Sequence, residues 1–135
     1  MEPVTLDEEP IHVLIVEDEW LIRELVAESL SEQGFVVHTA GNAADALRVV
    51  ASARLDALFT DIDLPDGMDG VGLARRAREL MPHLSVIYAS GAADAFDPEA
   101  CVPGSVFVPK PYAPALIGRL LAHAAGKSPA RYVSA

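Results

Sequence analysis

Short, mainly apolar runs alternate along this chain with stretches in which apolar residues recur at helical spacing. Residues 11–16, 35–39, 56–60, 84–89 and 105–108 form the runs, the pattern of strands buried on both faces of a parallel sheet. Between the first two, residues 20–32 carry Leu21, Ile22, Leu25, Val26, Ser29 and Leu30 on one expected face, with Gly34 as the stop. Asn42 is placed to cap a second helix with Ala43, Ala46, Leu47 and Val50 inward. A third stripe comprises Val71, Ala74, Ala77, Leu80 and Met81 and ends at Pro82. Pro114 opens a last helix with Leu116, Ile117, Leu120 and Leu121 inward. In residues 91–104, Pro98 and Pro103 leave room for only a short helix, and a mobile segment is expected.

Five strand–helix units within residues 11–125 predict an α/β fold, a doubly wound five-stranded parallel sheet of flavodoxin-like order 2-1-3-4-5 with helices on both faces. Residues 11–125 are read as one domain, and residues 1–10 and 126–135 as flexible tails. No internal repeat or low-complexity segment interrupts this pattern.

Four of the runs break off at a reactive residue. Val13-Leu14-Ile15-Val16 is followed by Glu17-Asp18, Ala57-Leu58-Phe59-Thr60 by Asp61, Val86-Ile87-Tyr88-Ala89 by Ser90, and Val106-Phe107-Val108-Pro109 by Lys110. In an open parallel sheet, ligands bind beyond the carboxyl ends of the strands, so these ends would gather three acids, a hydroxyl and an ammonium at one edge. Such a set suits a metal ion and a phosphoryl group. The run 35–39 ends without a reactive residue and falls at the edge of the predicted sheet.

Charge and composition narrow the partners. Twenty acidic and ten basic side chains give a net charge of −10, which disfavours direct nucleic-acid binding and anionic lipid and favours cations. With Cys101 as the one cysteine, no intrachain disulfide can form, and a reducing cytoplasm is the expected compartment. The acidic N-terminus does not read as a signal peptide, and no run is long enough for a membrane span.

Taken together, the motifs resemble the receiver domain of bacterial two-component response regulators, the family of the chemotaxis response regulator. They are Glu17-Asp18 after the first strand, Asp61-Ile62-Asp63-Leu64-Pro65 after the third, Asp69-Gly70 before the third helix, Ser90-Gly91 after the fourth strand and Lys110-Pro111 after the fifth. The resemblance implies that Asp61 is a phosphoacceptor, attacking the phosphohistidine of a sensor histidine kinase or histidine phosphotransfer protein. It implies that Glu17, Asp18 and Asp61, with the backbone carbonyl of Asp63, bind Mg2+, a hard cation suited to carboxylates and phosphate oxygens. Two carboxylates about 4 Å apart repel by about 4 kcal/mol at an effective dielectric near 20, so converging acids need a cation or a raised pKa.

By the same resemblance, Ser90 is the hydroxyl that bonds a phosphoryl oxygen, and Lys110 pairs with Asp61 and then with the phosphoryl group. A cis Lys110-Pro111 bond would aim that lysine into the site. Phe107 is the aromatic that turns inward with Ser90, carrying the signal outward. The implied function is a stand-alone phosphorelay module that switches contacts with a downstream target protein, is no enzyme on a separate substrate, and is able to dimerise. Three departures stand out: Glu17 replaces the more frequent Asp, the loop 65–70 is one residue longer than usual, and Asp63 and Ala92 occupy positions that tune phosphoryl lifetime.

Blander readings exist for each residue alone: a polar strand end for Glu17-Asp18, a turn for Asp61, a cap for Ser90, a solvated side chain for Lys110 and plain core for Phe107. Arg75, Arg76 and Arg78 read as a solvated helix face, Cys101 as a small buried hydrophobe, and the four histidines show no ligand spacing. Two rival functions are a pseudo-receiver working by contact without phosphorylation and a haloacid-dehalogenase-like phosphatase using Asp61-Ile62-Asp63. The latter family places that motif after its first strand, not its third. A calcium loop starting at Asp61 fails because Asp66 stands where glycine is required.

Overall fold

The computed structural model describes residues 9–92 and 97–124. Its elements run β1 (His12–Val16), α1 (Trp20–Glu32), β2 (Val36–Ala40), α2 (Ala43–Ser52), β3 (Ala57–Asp61), α3 (Gly70–Leu80), β4 (Ser85–Ser90), β5 (Val106–Pro109) and α4 (Pro114–Ala124). All five strands pair in parallel, in the order β2-β1-β3-β4-β5. The expected sheet is therefore present. The expectations for residues 1–8, 93–96 and 125–135 lie outside the described residues, and residues 97–104 form turns.

Side-chain alternation along the strands divides the core in two. Val13, Ile15, Phe59 and Ile87 face Val26 and Leu30 of α1 and Ile117 and Leu121 of α4. Leu14, Val16, Leu58, Val86 and Tyr88 face Ala46 and Val50 of α2 and Leu73 and Ala77 of α3. With apolar layers on both sides, β1 and β3 have no solvated face, which explains their unbroken apolar sequences.

Each strand begins one residue later than its apolar run, and all but β1, which stops with its run at Val16, also end one residue later. Residue 11 and residue 56 still bond across the strand ends, through Val36 N–H to Ile11 O at 3.0 Å and Asp56 N–H to His12 O at 2.8 Å. At the other end, pairing is a main-chain property and continues when the side chain turns polar, so Asp61 pairs with Ala89 and Ser90 with Pro109. Asp61 and Ser90 are thus the last strand residues.

The helix faces are narrower than their apolar spacing suggests. Leu21 and Leu25 of α1 are 61% and 53% exposed, while Val26 and Leu30 are buried. On α3 the buried stripe is Gly70, Leu73, Ala74 and Ala77. Val71 and Leu80 fall roughly 110° and 70° off its centre at 3.6 residues per turn, and Leu80 is 51% exposed. On α4, Ile117, Gly118, Leu121 and Ala122 are buried, whereas Leu116 is exposed and Leu120 half-buried. Gly34, at φ 101°, ends α1 as expected.

Candidate functional site

The site forms where the strands stop. Glu17 follows β1 and remains buried, its N–H donating to Ala40 O at 3.1 Å. Asp61 and Ser90, also buried, close β3 and β4. Lys110 follows β5, its N–H donating to Ser90 O at 2.9 Å, and the Lys110–Pro111 peptide is cis. Asp18 completes the group from an exposed position.

Lys110 Nζ lies 2.9 Å from Asp61 Oδ2 and 3.1 Å from Glu17 Oε1. Main-chain donors hold the other carboxylate oxygens: Glu19 N–H to Glu17 Oε2 at 3.0 Å and Asp63 N–H to Asp61 Oδ1 at 3.1 Å. Burial pushes the Glu17 carboxyl above its ordinary range, against the pull of the Glu19 N–H and Lys110. Burial would lower the Lys110 ammonium, but bonds to Asp61 and Glu17 outweigh it and hold its pKa above the usual lysine value. Both shifts reflect the same tight cluster.

Glu17, Asp18 and Asp61 each offer an oxygen, all within 4.8 Å of one another. Three carboxylates against one ammonium leave two negative charges, which a divalent cation would cancel. Hard oxygen donors and that charge fit Mg2+. Main-chain anchoring limits how far two of these acids can turn away.

Ser90 is tied to the cluster through an unexpected group. Its Oγ–H donates to Asp63 Oδ2 at 3.2 Å and its oxygen accepts from Ala92 N–H at 3.0 Å. The resemblance gives Asp63 a backbone-carbonyl role and a place among the positions that tune phosphoryl lifetime, but no bond to Ser90. Phe107 is half-buried on the α2–α3 side of the sheet, paired in register with Tyr88. Glu17, Asp18, Asp61 and Lys110 are therefore brought together directly, Ser90 joins through Asp63, and Phe107 stands two strand positions back from the pair Ser90–Pro109.

Sequence patterning does not mark Arg23, and marks Gly70 only as part of the motif Asp69-Gly70. Arg23, on α1, donates from Nη1 to Glu17 O at 2.8 Å and steadies the β1–α1 turn. Gly70 packs against the main chain of Asp61, where an added Cβ would meet Asp61 O at 2.2 Å. Its signal was a glycine directly after the capping Asp69, an otherwise unfavourable helix residue. Of the blander assignments, Cys101 is half-buried, with Sγ donating to Asp97 O at 3.4 Å, and Arg75 is bonded through Nε to Ala100 O at 3.0 Å.

The family model for the response regulator receiver domain matches residues 13–121. The chain is 35% identical over 92 residues to the response regulator receiver protein CpdR of Brucella abortus, covering 67% of this chain and 76% of that protein. It is 32% identical over 96 residues to the sensor histidine kinase RcsC of Escherichia coli, covering 71% of this chain but 10% of the kinase. The match thus spans about a tenth of that kinase's length. A response regulator receiver protein from Sinorhizobium medicae superposes with a TM-score of 0.80 at 27% identity, covering 88% of this chain and 97% of that one. No helix among the described residues is long and apolar enough to cross a membrane.

Proposed function

Because this chain belongs to the response regulator receiver domain family, we propose that Asp61 accepts a phosphoryl group from a phosphohistidine of a partner sensor histidine kinase or histidine phosphotransfer protein. Phosphorylation then switches contacts with a downstream target protein. The observation that carries the reading is the buried Asp61 carboxylate, held between the Lys110 ammonium at 2.9 Å and the Asp63 N–H at 3.1 Å at the open end of the sheet. The place of action in this reading is the cytoplasm, in keeping with a chain whose one cysteine has no intrachain partner.

In the transfer step an Asp61 oxygen forms a bond to phosphorus while the bond from phosphorus to the donor imidazole nitrogen breaks. The electron pair leaves with the imidazole, which takes up a proton. Main-chain and lysine contacts keep the carboxylate oriented for this attack. Glu17, Asp18 and Asp61 would hold Mg2+, which when bound offsets negative charge on the phosphoryl oxygens. Lys110 exchanges its bond to Asp61 for one to a phosphoryl oxygen, and the Ser90 hydroxyl donates to another. Phe107 turns inward as Ser90 moves, altering the surface of β5 and α4.

Intact-mass analysis with Mg2+ and a small acyl-phosphate donor tests the reading. One phosphate is expected on the wild-type chain, none on Asp61→Ala, and none on the wild type when a chelator removes the metal. No added phosphate on the wild type in the presence of Mg2+ would instead identify a pseudo-receiver. Consumption of donor far beyond one equivalent would identify a phosphatase.

A further inference from the structure

We propose that the Asp63 side chain is a latch on Ser90, holding the hydroxyl proton in the unmodified protein and releasing it only when a phosphoryl group on Asp61 competes for it. The proposal rests on the reading of Asp61 as phosphoacceptor and assigns Asp63 a positioning role beyond any metal ligation. A serine hydroxyl has a single proton to donate. Here that proton is directed at Asp63 Oδ2, 3.2 Å away, while Ala92 N–H occupies the oxygen from the other side at 3.0 Å. The hydroxyl is therefore fixed at both ends, and its proton is committed.

Asp63 is also joined to the phosphoacceptor. Its main-chain N–H donates to Asp61 Oδ1 at 3.1 Å, so one residue contacts Asp61 through its backbone and Ser90 through its carboxylate. A phosphoryl group on Asp61 introduces an anion with strong acceptor oxygens beside that carboxylate. Like charges repel and both seek the same proton. Because Asp63 is exposed, its carboxylate has a low-cost alternative in water, whereas the buried Ser90 has few partners. A distance of 3.2 Å is long for a hydroxyl–carboxylate bond, which ordinarily closes to about 2.5–2.7 Å. The latch is thus weak enough to open when the competitor arrives, and while closed it biases the chain toward the unphosphorylated arrangement.

A double-mutant cycle on the full chain tests this, with beryllium trifluoride in the presence of Mg2+ as a stable phosphoryl mimic and calorimetry as the readout. Asp63→Ala is expected to tighten binding of the mimic about threefold to tenfold, the fold-change that one ordinary hydrogen bond represents. In a Ser90→Ala background the same change is expected to give a clearly smaller gain, the part due to relief of charge repulsion alone. An equal gain in both backgrounds would reduce Asp63 to a repelling charge and overturn the latch, as would no gain in either. A wild-type chain that does not take up the mimic would overturn the phosphoacceptor reading and the latch with it. Binding without coupling would overturn the latch alone.

Discussion

Gly70 donates its N–H to Ile62 O at 2.8 Å, and the Cβ it lacks would fall 2.2 Å from Asp61 O and 2.8 Å from Ile62 Cα. Both obstructing atoms belong to the backbone that carries the candidate phosphoacceptor, so no side-chain rotation can make room. Gly70→Ala is expected to destabilise the fold by about 1–3 kcal/mol, as overpacking of a tight site does. It should also displace Asp61 and slow phosphorylation from a small donor several-fold in the protein that remains folded. Urea denaturation together with phosphorylation kinetics checks both effects; wild-type stability would mean that α3 simply shifts to admit the methyl group. Residues of this kind are poorly legible in a sequence. Asp61 announces itself by ending an apolar run, but the reason for a glycine at position 70 exists only once α3 has been laid against β3.

The helices differ in how closely their ends are bound to the site. Asn42 caps α2 by accepting from Asp45 N–H at 2.8 Å, and Asp69 caps α3 by accepting from Gly72 N–H at 2.8 Å. Either side chain cut to alanine is expected to lower stability by about 1 kcal/mol. Only Asp69→Ala should also slow phosphorylation, because the first turn of α3 presses on Asp61. Equal phosphorylation rates in the two variants would show that the α3 cap acts on stability alone. Element positions themselves were largely legible: Asn42 and Pro114 open helices as read, and α1 spans residues 20–32 as read. The last residues of β2 to β5 lie one position beyond their apolar runs because hydropathy follows side chains while pairing follows the main chain. Helix faces came out too broad because spacing alone does not show which flank of α1 is covered by α4 and which is open. The Ser90–Asp63 bond was invisible for a further reason. It joins side chains 27 positions apart that meet only across neighbouring strands.

For the whole molecule, several protons are held more tightly in the fold than in an unfolded chain. Burial, reinforced by the Glu17 carboxylate and opposed by Lys110, pushes the Tyr112 phenol up to about 12. Burial raises Tyr88 as well, and Lys110 is held above its usual value by Asp61 and Glu17 despite burial. An unfolded tyrosine ionises near pH 10, so from about pH 10 to 12 the folded chain binds more protons than the unfolded one. Stability must then fall as pH rises through that window, since its slope follows the protons bound unfolded minus those bound folded. Tyr112→Phe should weaken this fall. The substitution keeps the ring that meets Phe59 edge-on at 5.4 Å and removes only the ionising hydroxyl. Urea midpoints at pH 9 and pH 11 are expected to separate less for Tyr112→Phe than for the wild type, while Tyr88 and Lys110 preserve part of the alkaline loss. Equal separations would mean that Tyr112 ionises alike in both states, and that its nearness to the Glu17–Lys110 cluster has no bearing on alkaline stability.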